Sequence, residues 1–252
     1  ARDLFAIALE RRSLPVVRIV SYDPAATDFR TAAQELGQKD YKEARKEEYR
    51  KMIRDAEKEN LDTEKIMLSP IIEFDALFVP DNHQRVPLVA SALAYEEFPV
   101  GTFRPYRDAE PITLLGLNGW NNPKLVEAGG QYMINGLFVD AFLPSHSDEG
   151  VRAFVSAYQV MFERSPSVID AVTYDTVRIL GKAIATGADT RGLVREAVKT
   201  TIIEGPAANG DHFGEDREMA RDLLVLTISE EEGIVEWQAP EVEIPETEIT
   251  TP

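Results

Sequence analysis

The sequence predicts an α/β protein built on a mostly parallel sheet flanked by helices. Short apolar runs of strand length recur along the chain, at 16–20, 76–79, 112–117 and 136–139. Segments with apolar residues at helical spacing separate them, the pattern of βαβ units with right-handed crossovers. Several runs also stop abruptly in varied polar residues, as FVPDNHQR does around Pro80. Ligands of open parallel sheets bind beyond the carboxyl ends of the strands, so those tips are where function is expected.

In chain order, Leu4, Phe5, Ala8 and Leu9 share one stripe and predict a helix over about 2–12. A strand at 16–20 follows. SYDPAATD reads as a loop whose Asp28 caps a helix running to about Leu36, which Gly37 breaks. Residues 38–60 carry dense mixed charge and a thin stripe of Tyr41, Ala44, Tyr49, Met52, Ile53 and Ala56. That spacing predicts a solvated surface helix, with a partner-binding helix as the alternative. Strand 76–79 leads to a helix ending near Tyr95, and Pro87 suits its first turn, where the missing N–H costs nothing. Strand 112–117 then precedes a short helix at 123–128, and strand 136–139 precedes a long helix at about 149–163. SPSVIDAVTYDTVRILGKAIATG predicts another helix, stopped at Gly187, and a short one follows near 190–199. Residues 223–228 and 234–237 read as a hairpin turning at Gly233. The acidic, Pro/Thr-rich stretch 238–252 has little to bury and predicts a disordered tail.

Composition narrows the function classes. With 252 residues the chain forms one large domain or two modest lobes. Its net charge of −17 argues against nucleic acid and anionic membrane surfaces, both of which need basic patches. Without cysteine there is no disulfide or thiolate chemistry. No apolar run reaches the ~20 residues of a membrane helix, and no signal peptide is visible. The chain opens at Ala1 inside a helical pattern, so a segment before it is expected to have been removed or left out.

The polar tips offer no catalytic set. His83 lies two residues from Asp81, but no G-x-S-x-G supplies a nucleophile, so it reads as a polar loop histidine. His83, His146 and His212 lie far apart, which argues against zinc. GLNGWNN is neither G-x-G-x-x-G nor a P-loop. Within it, Trp120 is either a stacking wall for a ligand or an aromatic packed on the next helix. Asn118 and Asn121 either bond a ligand or cap the helix at Pro123, and capping suits Asn121 and Asn122 at least as well. NGDHFGED lacks EF-hand spacing and reads as a loop. No enzyme, metal or cofactor is expected.

The stretches EFDALFVPDNHQRVPLVASAL, ITLLGLNGWNNPKLVEAGGQYMINGLFVDAFLP and VRAFVSAYQVMFERSPSVIDAVTYDTVRIL resemble type I periplasmic binding proteins in composition and order. They look most like the leucine/isoleucine/valine-binding branch, through Trp120, Pro123, Asn135-Gly136, 137–139 and Tyr174-Asp175. The sequence is also similar to penicillin-binding protein activator lipoproteins, and FGEDREMARDLLVLTISEEEGIVEW looks like the closing β segment of that group. The resemblance runs from Ala1 to about Trp237.

It implies two hinged α/β lobes with a ligand in the cleft and an incomplete first lobe. Residues 1–140 would be the second lobe, 141–216 the remaining part of the first, 217–237 the closing hairpin of the second, and 238–252 the tail. It further implies a non-enzymatic, extracytoplasmic solute-binding protein of an ABC-type importer, taking a small polar, amino-acid-like ligand. Asp81, Asn82, His83, Asn118 and Trp120 would be the ligand-binding residues, and an ABC permease the partner. The expected location is the periplasm or envelope, with lipid anchoring through a segment before Ala1. The alternative is an envelope regulator of a peptidoglycan synthase. Two departures from the transport branch favour it: the charged insertion 38–60, and a neutral Asn118 where that branch often has an acid. Since first-lobe loops supply much of the family's grip, this chain by itself is expected to bind small ligands weakly.

Overall fold

The computed structural model describes residues 1–40, 43–63 and 66–239. Tyr41 of the predicted stripe and most of the predicted tail, 240–252, lie outside the described residues. The chain opens with α1 (Arg2–Glu10), α2 (Arg30–Leu36) and α3 (Lys46–Lys58). It then alternates through β1 (Ala76–Phe78), α4 (Val86–Tyr95), β2 (Thr113–Gly116), α5 (Pro123–Gly129) and β3 (Leu137–Asp140). Next come α6 (Glu149–Phe162), α7 (Val168–Ala185) and α8 (Arg191–Val198). Two hairpins end the described chain: β4 (Gly210–Phe213) with β5 (Met219–Arg221), and β6 (Leu224–Ser229) with β7 (Gly233–Glu236).

A five-stranded sheet of order β1-β2-β3-β6-β7 carries the molecule. β1, β2 and β3 run parallel, with Leu77 opposite Leu114 and Gly116 opposite Phe138. β6 then pairs antiparallel with β3, Leu226 facing Phe138, and β7 folds back on β6. This is the α/β architecture the alternating pattern requires, with an antiparallel hairpin added at one edge.

Local chemistry explains where the helices start. Pro87 sits in the first turn of α4. Asn122 accepts a hydrogen bond from Lys124 N–H and Pro123 opens α5. Asp148 accepts from Gly150 and Val151 at the head of α6, and Thr190 accepts from Leu193 at the head of α8. Ser167 and Asp170 form a reciprocal capping box on α7, satisfying two otherwise orphaned donors. Asp28 departs from its expected role: Phe29 holds the cap position of α2, while Asp28 binds the backbone and guanidinium of Arg30. That pairing holds the Asp28 carboxyl down at about 2.

The charged helix is shorter than 38–60. α3 carries i,i+3 ion pairs, among them Arg45–Glu48, Arg50–Glu47 and Lys58–Asp55, and of its residues Ala56 is the buried one. Two further readings are corrected. Residues 16–20 form no strand, because among the described residues no neighbour bonds their backbone. GDHF, read as loop, is β4, paired antiparallel with β5.

Two apolar clusters form. The larger packs α2, α4, α5 and the sheet around Phe98, Trp120, Leu125, Met133 and Phe138. The smaller joins α6 and α7 around Phe142, Val151, Phe154 and Ala171 to Ala207 and Ala208. The two clusters meet directly after β3, where Phe142 belongs to the smaller and Phe138 and Leu143 to the larger.

Candidate functional site

The parallel strands β1, β2 and β3 deliver their carboxyl ends to one edge of the sheet, and side chains and backbone stitch the loops there together. His83 N–H donates to Gly119 C=O at 2.9 Å, joining the loop after β1 to the turn after β2. Gly119 lies so close that a Cβ there would stand 3.1 Å from the Asp81 carbonyl oxygen. Asn121 Nδ2 donates to Asp140 Oδ2 and to Phe142 C=O, each at 2.7 Å, joining that turn to the end of β3. On the far side, Tyr22 Oη donates to Asp81 Oδ2 at 3.0 Å. The result is one continuous polar ridge from Tyr22 to Asp140.

Asp81 is spent on structure. Besides Tyr22 it meets Arg85 Nε at 3.2 Å and accepts Asn82 N–H at 2.8 Å. Arg85 reaches on to the carbonyls of Asp23 and Pro24, and its guanidinium lies over Tyr22 and Phe29. Burial, then the bond to Asp81, pushes the Tyr22 hydroxyl up to about 12, so it stays a donor at any ordinary pH. Asn82 is exposed, and its Oδ1 turns the loop by accepting Gln84 N–H.

His83 and Asn118 are different. The half-buried His83 ring and the exposed Asn118 amide take no part in a hydrogen bond or ion pair among the described residues. Both belong to the loops that the His83–Gly119 backbone bond joins, so two uncommitted polar residues lie on adjoining loops of the ridge.

Trp120 stands elsewhere. It is completely buried, with Nε1 donating to Val79 C=O at 3.2 Å. Gly116 and Gly136 make room for its indole: a Cβ at Gly116 would come within 2.2 Å of the ring, and one at Gly136 within 3.2 Å. Trp120 is thus a core residue seated against the strands, where its expected place was a ligand wall or an aromatic packed on the next helix.

Sequence reasoning missed Tyr22, Arg85 and Asp140. Tyr22 carried the same signal as the other tips, a polar run ending an apolar one. Asp140 is buried, which raises its carboxyl above the usual range against the opposing pull of Asn121, Ala141 N–H and Arg221. Asn122, and not Asn121, is the helix cap.

An open sheet that gathers polar loops at its carboxyl edge has the layout in which α/β proteins bind ligands. A family model described as periplasmic binding protein matches residues 107–233, which run from the approach to β2 to the turn between β6 and β7. The chain belongs to the periplasmic binding protein family. Among solved structures it is similar to a leucine-binding protein from Thermotoga maritima, at 18% identity and a TM-score of 0.61, covering 94% of this chain and 55% of that one. It is also similar to an ABC transporter solute-binding protein from R. palustris in complex with benzoate, at 12% identity and a TM-score of 0.59, covering 92% and 52%. An extracellular ligand binding receptor from Desulfohalobium retbaense matches at 13% identity and a TM-score of 0.60, covering 94% and 34%. The chain thus spans about half the length of these proteins, or less, and the likeness is one of fold. No curated protein matches it. Among the described residues no helix is long and apolar enough to cross a membrane.

Proposed function

We propose that this chain supplies one wall of the ligand cleft of an extracytoplasmic solute-binding protein serving an ABC-type importer. The observation that carries the reading is the pair of uncommitted side chains, His83 and Asn118, on two loops joined by a backbone bond in a ridge whose other members brace one another. A braced ridge keeps its shape while a ligand comes and goes, and free polar side chains orient it. With Asp81 and Arg85 already paired, the side chains this wall leaves to a ligand are the His83 ring and the Asn118 amide. They suit the amide or hydroxyl side of a small polar, amino-acid-like ligand. Residues 1–140 with the β6–β7 hairpin would form this lobe, and the segment around α6, α7 and α8 would belong to the other. Closure would follow from tighter binding to the closed form; driving the ratio from 1:99 to 99:1 takes ~5.5 kcal/mol of differential affinity.

A second reading, an envelope regulator of a peptidoglycan synthase, is favoured by α3, a helix that turns nearly all its surface to solvent.

Titration with leucine, valine, their amides and benzoate, followed by NMR, tests the first reading. Saturable millimolar shifts confined to 81–83 and 118–121, lost in the His83→Ala/Asn118→Ala double variant, are expected. Shifts centred elsewhere, or none up to the solubility limit, would remove it. Capture of a cell-wall synthase that depends on α3 would favour the second.

A further inference from the structure

The turn after β2 carries a reactive pair of residues. Asparagine followed by glycine occurs three times in the chain, at Asn118-Gly119, Asn135-Gly136 and Asn209-Gly210. In such a pair the glycine nitrogen can attack the preceding side-chain amide, because no Cβ hinders its approach. The attack needs an N–H free to lose its proton, the same requirement that governs amide exchange.

The fold treats the three pairs differently. Gly136 N–H donates to Met133 C=O at 3.1 Å. Gly210 is buried in β4, where it pairs with Arg221 of β5. Gly119 N–H donates no hydrogen bond among the described residues. The amide it would attack is equally unengaged, since the exposed Asn118 side chain takes no part in a hydrogen bond there. Asn135 is exposed as well, so the state of the glycine N–H is what separates the pairs.

Two features of the turn favour the reaction. Ring closure needs the Asn118 backbone to rotate out of its helical setting. Residues Asn118–Trp120 form a single 3-10 turn, closed by Trp120 N–H to Leu117 C=O at 2.9 Å and Asn121 N–H to Asn118 C=O at 3.1 Å. Turns of this kind have the poorer hydrogen-bond geometry, so little opposes the rotation. Packing also holds a glycine at position 119, because a Cβ there would stand 3.1 Å from the Asp81 carbonyl oxygen. The close approach of the loops after β1 and β2 therefore keeps the nucleophile unhindered.

We propose that Asn118 is a site of spontaneous conversion from amide to acid, and that the conversion gives the ridge a carboxylate free to meet a ligand. The Gly119 nitrogen loses its proton and bonds to Asn118 Cγ, and ammonia leaves. Water then opens the cyclic imide. Opening at Cγ gives aspartate. Opening at the main-chain carbonyl routes the chain through Cγ and releases the former main-chain carbonyl as a carboxylate. Water enters, ammonia departs and nothing is oxidised or reduced; either product bears one free carboxylate at position 118.

That carboxylate has no equivalent on the ridge. Asp81 is held by Tyr22 and Arg85, and Asp140 by Asn121. The unconverted amide is uncharged, whereas the converted residue attracts a cation, so the converted wall takes ligands that bear an ammonium group. This consequence rests on the proposed ligand wall; the conversion does not.

Peptide mapping by mass spectrometry, on the folded 252-residue chain aged in mildly alkaline heavy-oxygen water, reads the conversion. Labelled acid is expected at 118 about fivefold or more faster than at 135 and 209, the margin one protecting hydrogen bond supplies, and the three rates should converge in urea. Gly119 N–H should exchange faster than Gly136 N–H by a similar factor. An intact amide at 118, or equal rates at the three pairs in the folded chain, overturns the inference. NMR titration with valinamide reads the consequence. Asn118→Asp is expected to bind it about tenfold more tightly than the fresh parent, the worth of one charge-assisted hydrogen bond. Ageing should move the parent toward that affinity and leave Asn118→Gln where it began. Equal binding by fresh parent, aged parent and Asn118→Asp overturns the ligand role. Conversion at 118 with valinamide bound by no form removes the proposed wall and that role together, and leaves the modification site standing.

Discussion

At the residue scale the determining feature is the fit of Trp120 against Gly116. The indole occupies the space a side chain at Gly116 would need, so Gly116→Ala must displace a fully buried ring. Overpacking of this kind costs ~1–3 kcal/mol. Chemical denaturation should show that loss, together with a shifted tryptophan emission from the displaced ring; an unchanged midpoint would mean the sheet yields at no cost. Trp120→Phe should also destabilise, since it removes the indole donor from the Val79 carbonyl, which keeps Asp81 N–H, and leaves buried space unfilled. This fit was hidden in the sequence. A tryptophan flanked by Gly119, Asn121 and Asn122 looks like loop chemistry, and nothing local records that Gly136, on the approach to the neighbouring strand, helps to clear a space for it. The place of Asn118 and His83 at strand tips was legible because a strand's polar tip is a local pattern. Which of the five expected residues are free and which are braced was not, since bracing depends on Tyr22 and Arg85 arriving from other segments.

At the scale of elements, the helices with strong caps were the easiest to read and give the sharpest predictions. Ser167→Ala should remove half of the capping box on α7 and cost ~1 kcal/mol. Asp170, the other half, is held well below the usual carboxylate range, foremost by the Arg164 guanidinium. A depressed carboxyl contributes stability that is present at neutral pH and lost as pH falls through the carboxylate range. Acid unfolding of Asp170→Asn should therefore begin from a lower stability and fall less steeply than that of the parent. Asp175 of α7 does a different job. Its carboxylate is fully buried and accepts the N–H groups of Ala207 at 2.8 Å and Ala208 at 2.7 Å, fixing the backbone before β4. Asp175→Ala strands two buried donors, each worth ~1–3 kcal/mol, so it should cost more than any cap. β4 escaped sequence reading because Gly-Asp-His-Phe has no apolar alternation. Residues 16–20 failed in the opposite sense: their β-branched run is good strand chemistry, but a strand is a property of a pair.

At the scale of the whole molecule, the two apolar clusters set an order of stability. The larger one includes Phe98, Trp120, Phe138 and one face of the parallel strands, while the smaller rests on Phe142, Val151, Phe154 and three alanines. Much of the second region's apolar surface stays in solvent: on α7, Ile169 is 74% exposed and Val177 59%. Local opening free energy follows buried apolar contact, so the two regions should not open together. Native-state amide exchange in low urea should release α6, α7 and α8 before β2 and β3. Asp140 sits where the chain passes between them, and burial raises its carboxyl. Because the folded state then holds that proton longer than the unfolded one, ionisation costs stability as pH rises through and just above the carboxylate range. Asp140→Asn removes that cost while keeping an acceptor for Asn121, so its stability relative to the parent should improve as the pH is raised from about 4 to about 7. A variant that loses ground over that interval would mean the ionised carboxylate is a net support at the junction, held there by Asn121 and Arg221 more strongly than burial opposes it.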